Sequence, residues 1–465
     1  MMLKKKTNNL SYTPDREPYG GFAINKAGDT TGLASTGPHL LVLGGSGAGK
    51  SRRVLVPSIL TWEGPICAVS AKGDLAEMSA TYRQAKGGSM YVLDLTGEVD
   101  WDELPDDVVR LVNDPCALLL PDAEGSTDDS ALDLANLLLQ VGSLGMSATG
   151  SSGGDSGFWM TLAVRSLAAL LQAGGWYPDP ETGDQTWGGG ISWVLEAAIH
   201  YDGSNDEDSE DLDTDSPNWD VAQLRASLAG SAHAEDLAAS KQLDPKQRDS
   251  IGINLRVALS SWQKKAVRGG KGAVPFQPSM LEEPNATLYL VSPASGSAAG
   301  AATSVIESLI SHWKLNVKRH LPKLALILDE LPQCVPLPRL AEHVGLMRSY
   351  GVHITAAAQA SSQFEPRWGQ AGLKILRDIF PAILILIGAP EKEILEQAAW
   401  MNPPTEMQVE SRDSRGAQAN LSASRAETYH ASELLPRNRD EGRLLVRGRA
   451  GTKVRLADYT DMLKS

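Results

Sequence analysis

The segment GGSGAGKS constrains the fold of this chain more than any other feature of its sequence. It matches the pattern GxxxxGK[ST] in full, and it follows an apolar run, HLLVL, that predicts a buried strand starting at His39. The residues after it, SRRVLVPSILTW, have the apolar spacing of a helix. A strand, a glycine loop and a helix in this order predict a parallel α/β sheet.

The glycine loop predicts a binding site for the phosphates of a nucleotide. Successive backbone N–H groups in such a loop face bound phosphate, and the helix that follows adds the positive end of its dipole. Lys50 is expected to reach the β- and γ-phosphates, and the Ser51 hydroxyl is expected to bind Mg²⁺. The predicted nucleotide-binding residues are Gly44, Gly45, Ser46, Gly47, Ala48, Gly49, Lys50 and Ser51.

The segment LALILDE, residues 324–330, predicts the catalytic half of the same site. Acidic side chains at the end of an apolar strand are unfavourable unless a cation compensates them. We expect Asp329 to hold Mg²⁺ through its water shell and Glu330 to polarise the attacking water. The alternative is an ordinary strand end that happens to carry two acids, and the glycine loop upstream favours the catalytic interpretation.

Two further residues are candidates on position alone. Gln359 ends the next apolar strand, VHITAAAQ, and in a parallel sheet its amide would lie near the γ-phosphate; the alternative is an ordinary polar residue at a strand end. Arg348 ends the helix after LALILDE, where it would act either as an arginine finger on a neighbouring subunit or as a cation at the end of its own helix. Spacing alone favours the second role for Arg348.

The rest of the chain divides into an α/β part and a helical part. From Asp129 to Lys265 apolar residues recur every three or four positions, with no strand-like alternation. Asp74 and Glu77 have the spacing of a capping box, and the basic C-terminal segment predicts a hairpin. The predicted divisions are an extended, poorly structured lead-in at 1–33, a nucleotide-binding domain at 34–125 and 276–465, and an all-α insertion at 126–275.

Composition excludes several classes of protein. The 465 residues include 43 Lys and Arg against 57 Asp and Glu, a net charge of −14, which argues against a surface coated with nucleic acid but not against a basic channel inside an acidic shell. The three cysteines are isolated, so neither a disulfide framework nor a zinc knuckle is expected. An apolar run such as FPAILILIGA has ten residues, whereas a membrane-spanning helix needs roughly 20.

Whole blocks of the sequence resemble the TraG/TraD-type coupling proteins of conjugative type IV secretion. The block GGSGAGKSRRVLVPSILTWEGPICAVSAKGDLAEMSATYR is similar to the family's P-loop, VP-containing helix and lysine–glycine–acid segment. LALILDELPQCVPLPRLAEHVGLMRSYGVHITAAAQ is similar to its Walker B strand, helix and glutamine-bearing strand, GFWMTLAVRSLAALL to a helix of its all-α domain, and SRAETYHASELLP to its C-terminal end. Arg52 and Arg53 depart from the commoner pattern of small residues, and the sequence assigns them no role.

The resemblance implies a RecA-like P-loop nucleotide-binding domain with an inserted all-α domain, assembled as a homo-hexamer around a DNA channel. It implies ATP and Mg²⁺ as ligands, with Lys50 and Ser51 in binding, Asp329 and Glu330 in hydrolysis, Gln359 as γ-phosphate sensor and Arg348 as a finger acting in trans. The implied partners are single- or double-stranded DNA, relaxase or relaxosome proteins, and components of the secretion channel. The implied location is cytoplasmic and peripheral at the inner membrane, without a transmembrane segment in this chain.

Two other interpretations stay open at this point. An FtsK-like pump for double-stranded DNA, or another secretion ATPase, would use the same motifs, although an FtsK-like motor is expected to carry a C-terminal winged-helix module. A substrate-docking adaptor that nucleotide only stabilises would belong to a different class, and the complete set of Lys50, Ser51, Asp329 and Glu330 argues against it.

Overall fold

The computed structural model describes residues 17–25, 27–144, 155–202, 215–269, 273–389, 391–401, 405–412, 418–426, 430–447 and 451–463. Its strands are β1 (Phe22–Ile24), β2 (Thr30–Leu33), β3 (His39–Leu43), β4 (Ile66–Ser70), β5 (Met90–Asp94), β6 (Val109–Val112), β7 (Trp176–Pro178), β8 (Gln185–Trp187), β9 (Val274–Pro275), β10 (Thr287–Val291), β11 (Leu324–Leu328), β12 (Val352–Ala358), β13 (Ala382–Ile385), β14 (Thr405–Arg412), β15 (Gln418–Ala426), β16 (Glu441–Val446) and β17 (Thr452–Arg455). Its helices are α1 (Val56–Thr61), α2 (Asp74–Ala85), α3 (Asp128–Leu144), α4 (Asp155–Gly174), α5 (Gly190–Ala197), α6 (Trp219–Leu228), α7 (His233–Lys241), α8 (Pro245–Ala258), α9 (Lys265–Arg268), α10 (Ala299–Leu315), α11 (Leu331–Cys334), α12 (Leu340–Leu346), α13 (Glu365–Ile379), α14 (Lys392–Trp400) and α15 (Tyr459–Met462).

One large sheet organises the α/β part of the molecule, in the order β2-β1-β17-β16-β13-β3-β12-β11-β4-β10-β5-β6-β9. The strands from β13 to β9 run parallel, and β16, β17, β1 and β2 continue the sheet antiparallel at one edge. The strand before the glycine loop, β3, is separated from the strand of the acidic pair, β11, by β12 alone. The carboxyl ends of these three strands therefore meet at one edge of the sheet.

Apolar cores lie on both faces of this sheet. Within β3, Leu40 and Val42 belong to the core that includes helices α1 and α2, whereas Leu41 and Leu43 belong to the core on the other face. Strands covered on both faces are continuously apolar, and for this reason HLLVL and LALIL do not alternate with polar residues. Burial on both sides makes the central strands a firm support for the loops at their ends.

Helices α3 to α9 are inserted between β6 and β9, which are parallel neighbours in the sheet. The long helix α4 is the centre of this block and packs against α3, α5, α6, α7 and α8. Leu167, Leu170 and Leu171 of α4 are completely buried. Because α3 also contacts α10 beside the sheet, the helical core continues into one of the two sheet cores.

The fold predicted from the sequence is confirmed, as a RecA-like P-loop fold with an all-α insertion, and three local predictions are wrong. Residues 22–33 are not a poorly structured lead-in, because β1 and β2 join the edge of the main sheet. The helical insertion contains a short antiparallel hairpin, β7–β8, that the apolar spacing did not reveal. Helix α2 begins without a capping box, since the Asp74 carboxylate accepts a hydrogen bond from the adjacent Leu75 N–H and caps nothing further.

The C-terminal hairpin is confirmed as β16–β17, and a separate two-stranded sheet, β14–β15, precedes it. Among the residues that the structure describes, no helix has both the length and the apolar character needed to cross a membrane.

A buried arginine joins α2 to the loops that precede two central strands. The Arg83 side chain is completely buried, and it donates hydrogen bonds to the carbonyls of Trp62, Gly64 and Asn285 at 2.8–2.9 Å and to the Thr287 hydroxyl at 2.9 Å. Burial lowers the pKa of Arg83 to about 10. These bonds satisfy carbonyl groups that would otherwise be buried without a donor.

Replacing Arg83 by Met should lower the free energy of unfolding by about 3 kcal/mol or more, because three carbonyls and a buried hydroxyl lose the hydrogen bonds that Arg83 donates. Urea unfolding followed by tryptophan fluorescence measures the change. The control is Thr81→Ala, an exposed position on the same helix, which should change the free energy by less than about 0.5 kcal/mol. Equal stability of the two variants would show that the Arg83 hydrogen bonds contribute little.

Candidate active site

The glycine loop lies at the carboxyl end of β3 and leads through a π-helical turn, Ser51–Leu55, into α1. Gly47 and Gly49 have φ angles of +74° and +95°, a region that residues with a side chain rarely adopt. The loop can therefore take its shape only because glycine occupies these two positions.

The side chain of Lys50 is turned back over the loop and is 8% exposed. Its Nζ donates a hydrogen bond to the Gly44 carbonyl at 2.7 Å and lies 3.6 Å from Oε1 of Glu330. A nearly buried ammonium group is thus held where the loop and the acidic pair meet.

The acidic pair follows β11 directly. Asp329 is 9% exposed, and burial together with the neighbouring Glu330 carboxylate raises its pKa to about 7, while the Lys50 ammonium opposes the shift. Glu330 has a left-handed backbone, with φ 46° and ψ 43°, which is strained for a residue with a side chain. Its Oε2 atom is buried and accepts no hydrogen bond from the residues that the structure describes.

Gln359 lies at the end of β12, between the glycine loop and the acidic pair. Its Nε2 donates a hydrogen bond to Oε1 of Glu330 at 3.2 Å, and its backbone N–H donates to Oε1 of Gln363 at 2.9 Å. The amide therefore contacts the carboxylate that we expect to activate water.

A buried carboxylate fixes the chain just beyond Gln359. Glu391, which is 3% exposed, accepts hydrogen bonds from the Ser361 backbone N–H at 2.7 Å and from the Ser361 hydroxyl at 2.6 Å. Arg377 donates to the same hydroxyl and pairs with Glu393. The strand end that carries Gln359 is thereby attached to the start of α14.

The glycine loop, the acidic pair and Gln359 surround a cleft of about 600 Å³. The predicted site residues that line it are Gly45, Ser46, Gly47, Gly49, Lys50, Ser51, Asp329, Glu330 and Gln359. Gly44 contributes the carbonyl that holds Lys50, and Ala48 is buried beneath the loop.

The structure adds residues that the sequence did not place in the site. They are Arg52, Arg53, Lys72, Asp74, Arg439 and Asp458. Asp74 follows β4, next to β11, and its charge contributes to the raised pKa of Asp329. Lys72 and Asp74 could have been predicted from the sequence, because they follow a strand of the parallel sheet. No local sequence pattern identifies Arg439 or Asp458 as site residues.

Arg348 is the predicted site residue that lies away from the cleft of its own chain. It belongs to a single helical turn before β12, at the end of that strand opposite Gln359. Seven strand residues at about 3.3 Å each separate the two by roughly 20 Å. Arg348 therefore lies near the start of β3 and not near its end. Burial and the charges of His353 and Arg348 lower the pKa of His39, the first residue of β3, to about 3.

The donors of the cleft suit a nucleotide bound with Mg²⁺. The glycine loop and Lys50 provide a cradle for phosphate, and Oε2 of Glu330 is a buried acceptor without a hydrogen-bond donor among the described residues. Within the described ranges no group of three or more His, Cys, Asp or Glu side chains could hold a metal alone. Magnesium commonly binds one or two protein oxygens together with substrate phosphates, and Ser51 and Asp329 can supply these.

Comparison with protein families gives two matches at opposite ends of the chain. The family described as type IV secretory system conjugative DNA transfer matches residues 2–98, which include the glycine loop. The family described as the TraM recognition site of TraD and TraG matches residues 323–439, which include Asp329, Glu330 and Gln359. No curated protein matches the chain in sequence.

Solved structures of similar fold include the bacterial conjugative coupling protein TrwB, in an unbound form at 16% identity and a TM-score of 0.57, over 95% of this chain and 89% of that one. TrwB in complex with ADP and Mg²⁺ is similar at 15% identity and a TM-score of 0.58, over 95% and 90% of the two chains. VirB4 of Thermoanaerobacter pseudethanolicus is similar at 14% identity and a TM-score of 0.51, over 98% and 100%. The structural likeness supports the fold, and the two family matches, which contain the two halves of the site, support the resemblance to TraG/TraD-type coupling proteins.

Proposed function

We propose that this protein is a coupling ATPase of conjugative type IV secretion. In this proposal it recruits a relaxase–DNA or protein substrate and uses ATP hydrolysis to drive transfer into the secretion channel. The observation that carries the proposal is the contact of Glu330 with both Lys50 and Gln359 in a cleft beside the glycine loop. TrwB, which is solved with ADP and Mg²⁺ and with a non-hydrolysable ATP analogue, has a similar fold.

Each side chain of the cleft has a distinct part in this mechanism. The glycine loop binds the phosphates, and Lys50 leaves the Gly44 carbonyl and Glu330 to bind the terminal phosphates instead. Ser51 and Asp329 would hold Mg²⁺, which would supply charge neutralisation at the phosphates. Glu330, once free of Lys50, orients and polarises the attacking water, and Gln359 contacts both the γ-phosphate and Glu330.

The assembly and the partners belong to the same proposal. In this proposal the nucleotide-binding domain contains the whole main sheet, including β1, β2 and β9, the helical domain is the insertion between β6 and β9, and six copies surround a channel for DNA. Relaxosome proteins and channel components are the expected partners, and the family match at residues 323–439 supports a relaxosome contact. The expected location is the cytoplasmic face of the inner membrane.

Phosphate release should be measurable with Mg·ATP and should increase when single- or double-stranded DNA is added. Glu330→Gln should bind ATP normally but turn over roughly 10²- to 10⁴-fold more slowly, because an amide cannot act as a carboxylate toward water. Lys50→Ala is the comparison variant that should lose nucleotide binding itself.

Nucleotide binding without release of phosphate in the unchanged protein would instead support the adaptor interpretation. If Glu330→Gln lost binding together with turnover, the role of Glu330 would be in holding the nucleotide and not in activating water.

DNA binding should weaken steeply with salt despite the net charge of −14. Binding through a basic channel releases counterions, so affinity should fall at least about tenfold between about 50 mM and 200 mM salt. Fluorescence anisotropy with labelled single- and double-stranded oligonucleotides measures this. Affinity independent of salt, or absent at low salt, would remove DNA from the proposed partners.

Arg348 is proposed to act on the nucleotide of a neighbouring subunit. It lies at the sheet edge opposite its own cleft, it is exposed, and its side chain forms no hydrogen bond or ion pair with any residue that the structure describes. A guanidinium that reaches a neighbour's γ-phosphate neutralises charge in the transition state, an effect worth roughly 10³-fold or more in rate.

A mixing experiment tests whether the arginine acts in trans. Arg348→Ala subunits keep an intact cleft, and Lys50→Ala subunits keep an intact arginine, so mixed rings should regain ATPase activity that neither variant has alone. Native mass spectrometry verifies that mixed rings form. Mixed rings without activity, or full activity of Arg348→Ala alone, would contradict action in trans.

A further inference from the structure

Two loops from the C-terminal end of the chain lie beside the glycine loop. β13 is the parallel neighbour of β3, and β16 pairs antiparallel with β13, with Arg443 opposite Ile385. The start of β16 and the end of antiparallel β17 therefore lie at the edge where β3 ends. Residues 437–440 and 456–459, which we call the edge loops, contribute Arg439 and Asp458 to this side of the cleft.

Arg52 and Arg53 attach both edge loops to the segment that follows the glycine loop. The Arg52 guanidinium donates two hydrogen bonds to the Asp458 carboxylate, at 3.0 and 2.9 Å, and lies 4.8 Å from the centre of the Tyr459 ring. Arg53 donates to the Leu456 carbonyl at 2.8 Å. The two arginines that no motif explained thus hold the C-terminal end of the chain against the nucleotide site.

The loop that contains Arg439 is fixed from two directions. Arg53 pairs with the Asp440 carboxylate at 2.9 Å, and the Asp440 carbonyl accepts a hydrogen bond from the Leu456 N–H at 2.7 Å. Asn438 closes the turn by accepting from the Asp440 N–H at 3.0 Å. The backbone on both sides of Arg439 is therefore held in place.

The guanidinium group of Arg439 faces the glycine loop. Its Nη2 atom lies 3.8 Å from the position that a Cβ atom on Gly47 would occupy, and its side chain lines the cleft. In the described part of the chain it has neither a hydrogen-bond partner nor an ion-pair partner. An arginine held at a phosphate loop without a carboxylate partner is available to an anionic ligand.

The position of Arg439 indicates which part of the nucleotide it contacts. Glu330 and Gln359 lie on the β11 and β12 side of the glycine loop, so the γ-phosphate points that way. Arg439 approaches from the opposite side, past β13. The phosphates that face it are those nearer the nucleoside.

We propose that Arg439 binds the α- and β-phosphates of the nucleotide in its own subunit, and that Arg52 and Arg53 are positioning residues for it. This inference rests on the proposed nucleotide binding and adds a contact that is independent of the γ-phosphate and of Arg348.

Isothermal titration calorimetry with Mg·ADP tests the proposal. Arg439→Ala should bind ADP about ten- to a hundredfold more weakly, as expected for loss of a hydrogen bond between two charged groups, and a non-hydrolysable ATP analogue should lose the same factor. Arg439→Lys should retain part of the affinity. The melting temperature without nucleotide should stay the same, because the Arg439 side chain is exposed.

Arg437→Ala is the matched control, since Arg437 is an exposed arginine of the same loop that does not line the cleft. It should bind ADP like the unchanged protein. Normal ADP affinity in Arg439→Ala, with affinity lost in Lys50→Ala, would overturn the inference and leave nucleotide binding intact. Weakened binding of the ATP analogue alone would also overturn it, since the contact would then be to the γ-phosphate. Failure of the unchanged protein to bind any nucleotide would refute the proposed function itself.

Discussion

Two adjacent carboxylates at the buried end of β11 set the electrostatics of the whole cleft. Asp329 and Glu330 repel each other in a place with little water, and burial, followed by the Glu330 charge, raises the pKa of Asp329. Lys50 and Gln359 both direct N–H groups at Glu330, so the pair is partly compensated by the residues expected to handle phosphate. An arriving nucleotide with its cation competes for these same partners, so binding must rearrange the contacts among Lys50, Glu330 and Gln359.

The contacts that hold the site around this pair involve residues outside the glycine loop and the acidic segment. On one side the end of β12 is attached through Ser361 and Glu391 to α14. On the other side Arg52 and Arg53 attach the glycine loop to the edge loops. Both attachments are only a few residues from the cleft, so a movement of α14 or of the edge loops would shift Gln359 or the glycine loop.

The centre of the site was predictable because its signals are local. The glycine loop, the acid pair after β11 and the glutamine after β12 are each recognisable within eight residues, and parallel strands gather their carboxyl ends at one edge. Arg439 and Asp458 were not predictable in this way, because their place depends on pairing between strands almost the whole chain apart. The assumed capping box at Asp74 failed for a related reason: spacing gives the helix start but not the environment of the carboxylate. The β7–β8 hairpin was missed because three-residue strands are too short to show alternation.

The closure of the main sheet has a consequence for how the chain is made. Phe22 in β1 pairs with Arg455 in β17, so β1, which already has β2 as one neighbour, cannot join the main sheet until β17 has been synthesised. Until then β13, the neighbour of the P-loop strand, presents an open edge with unpaired backbone groups. Contacts of such long sequence separation form slowly, and the nascent chain is exposed to mispairing while it waits. Since the edge loops arrive with β16 and β17, the side of the cleft that holds Arg439 and Asp458 forms only after these strands are added, and a chain truncated before them would have a P-loop but not a finished site.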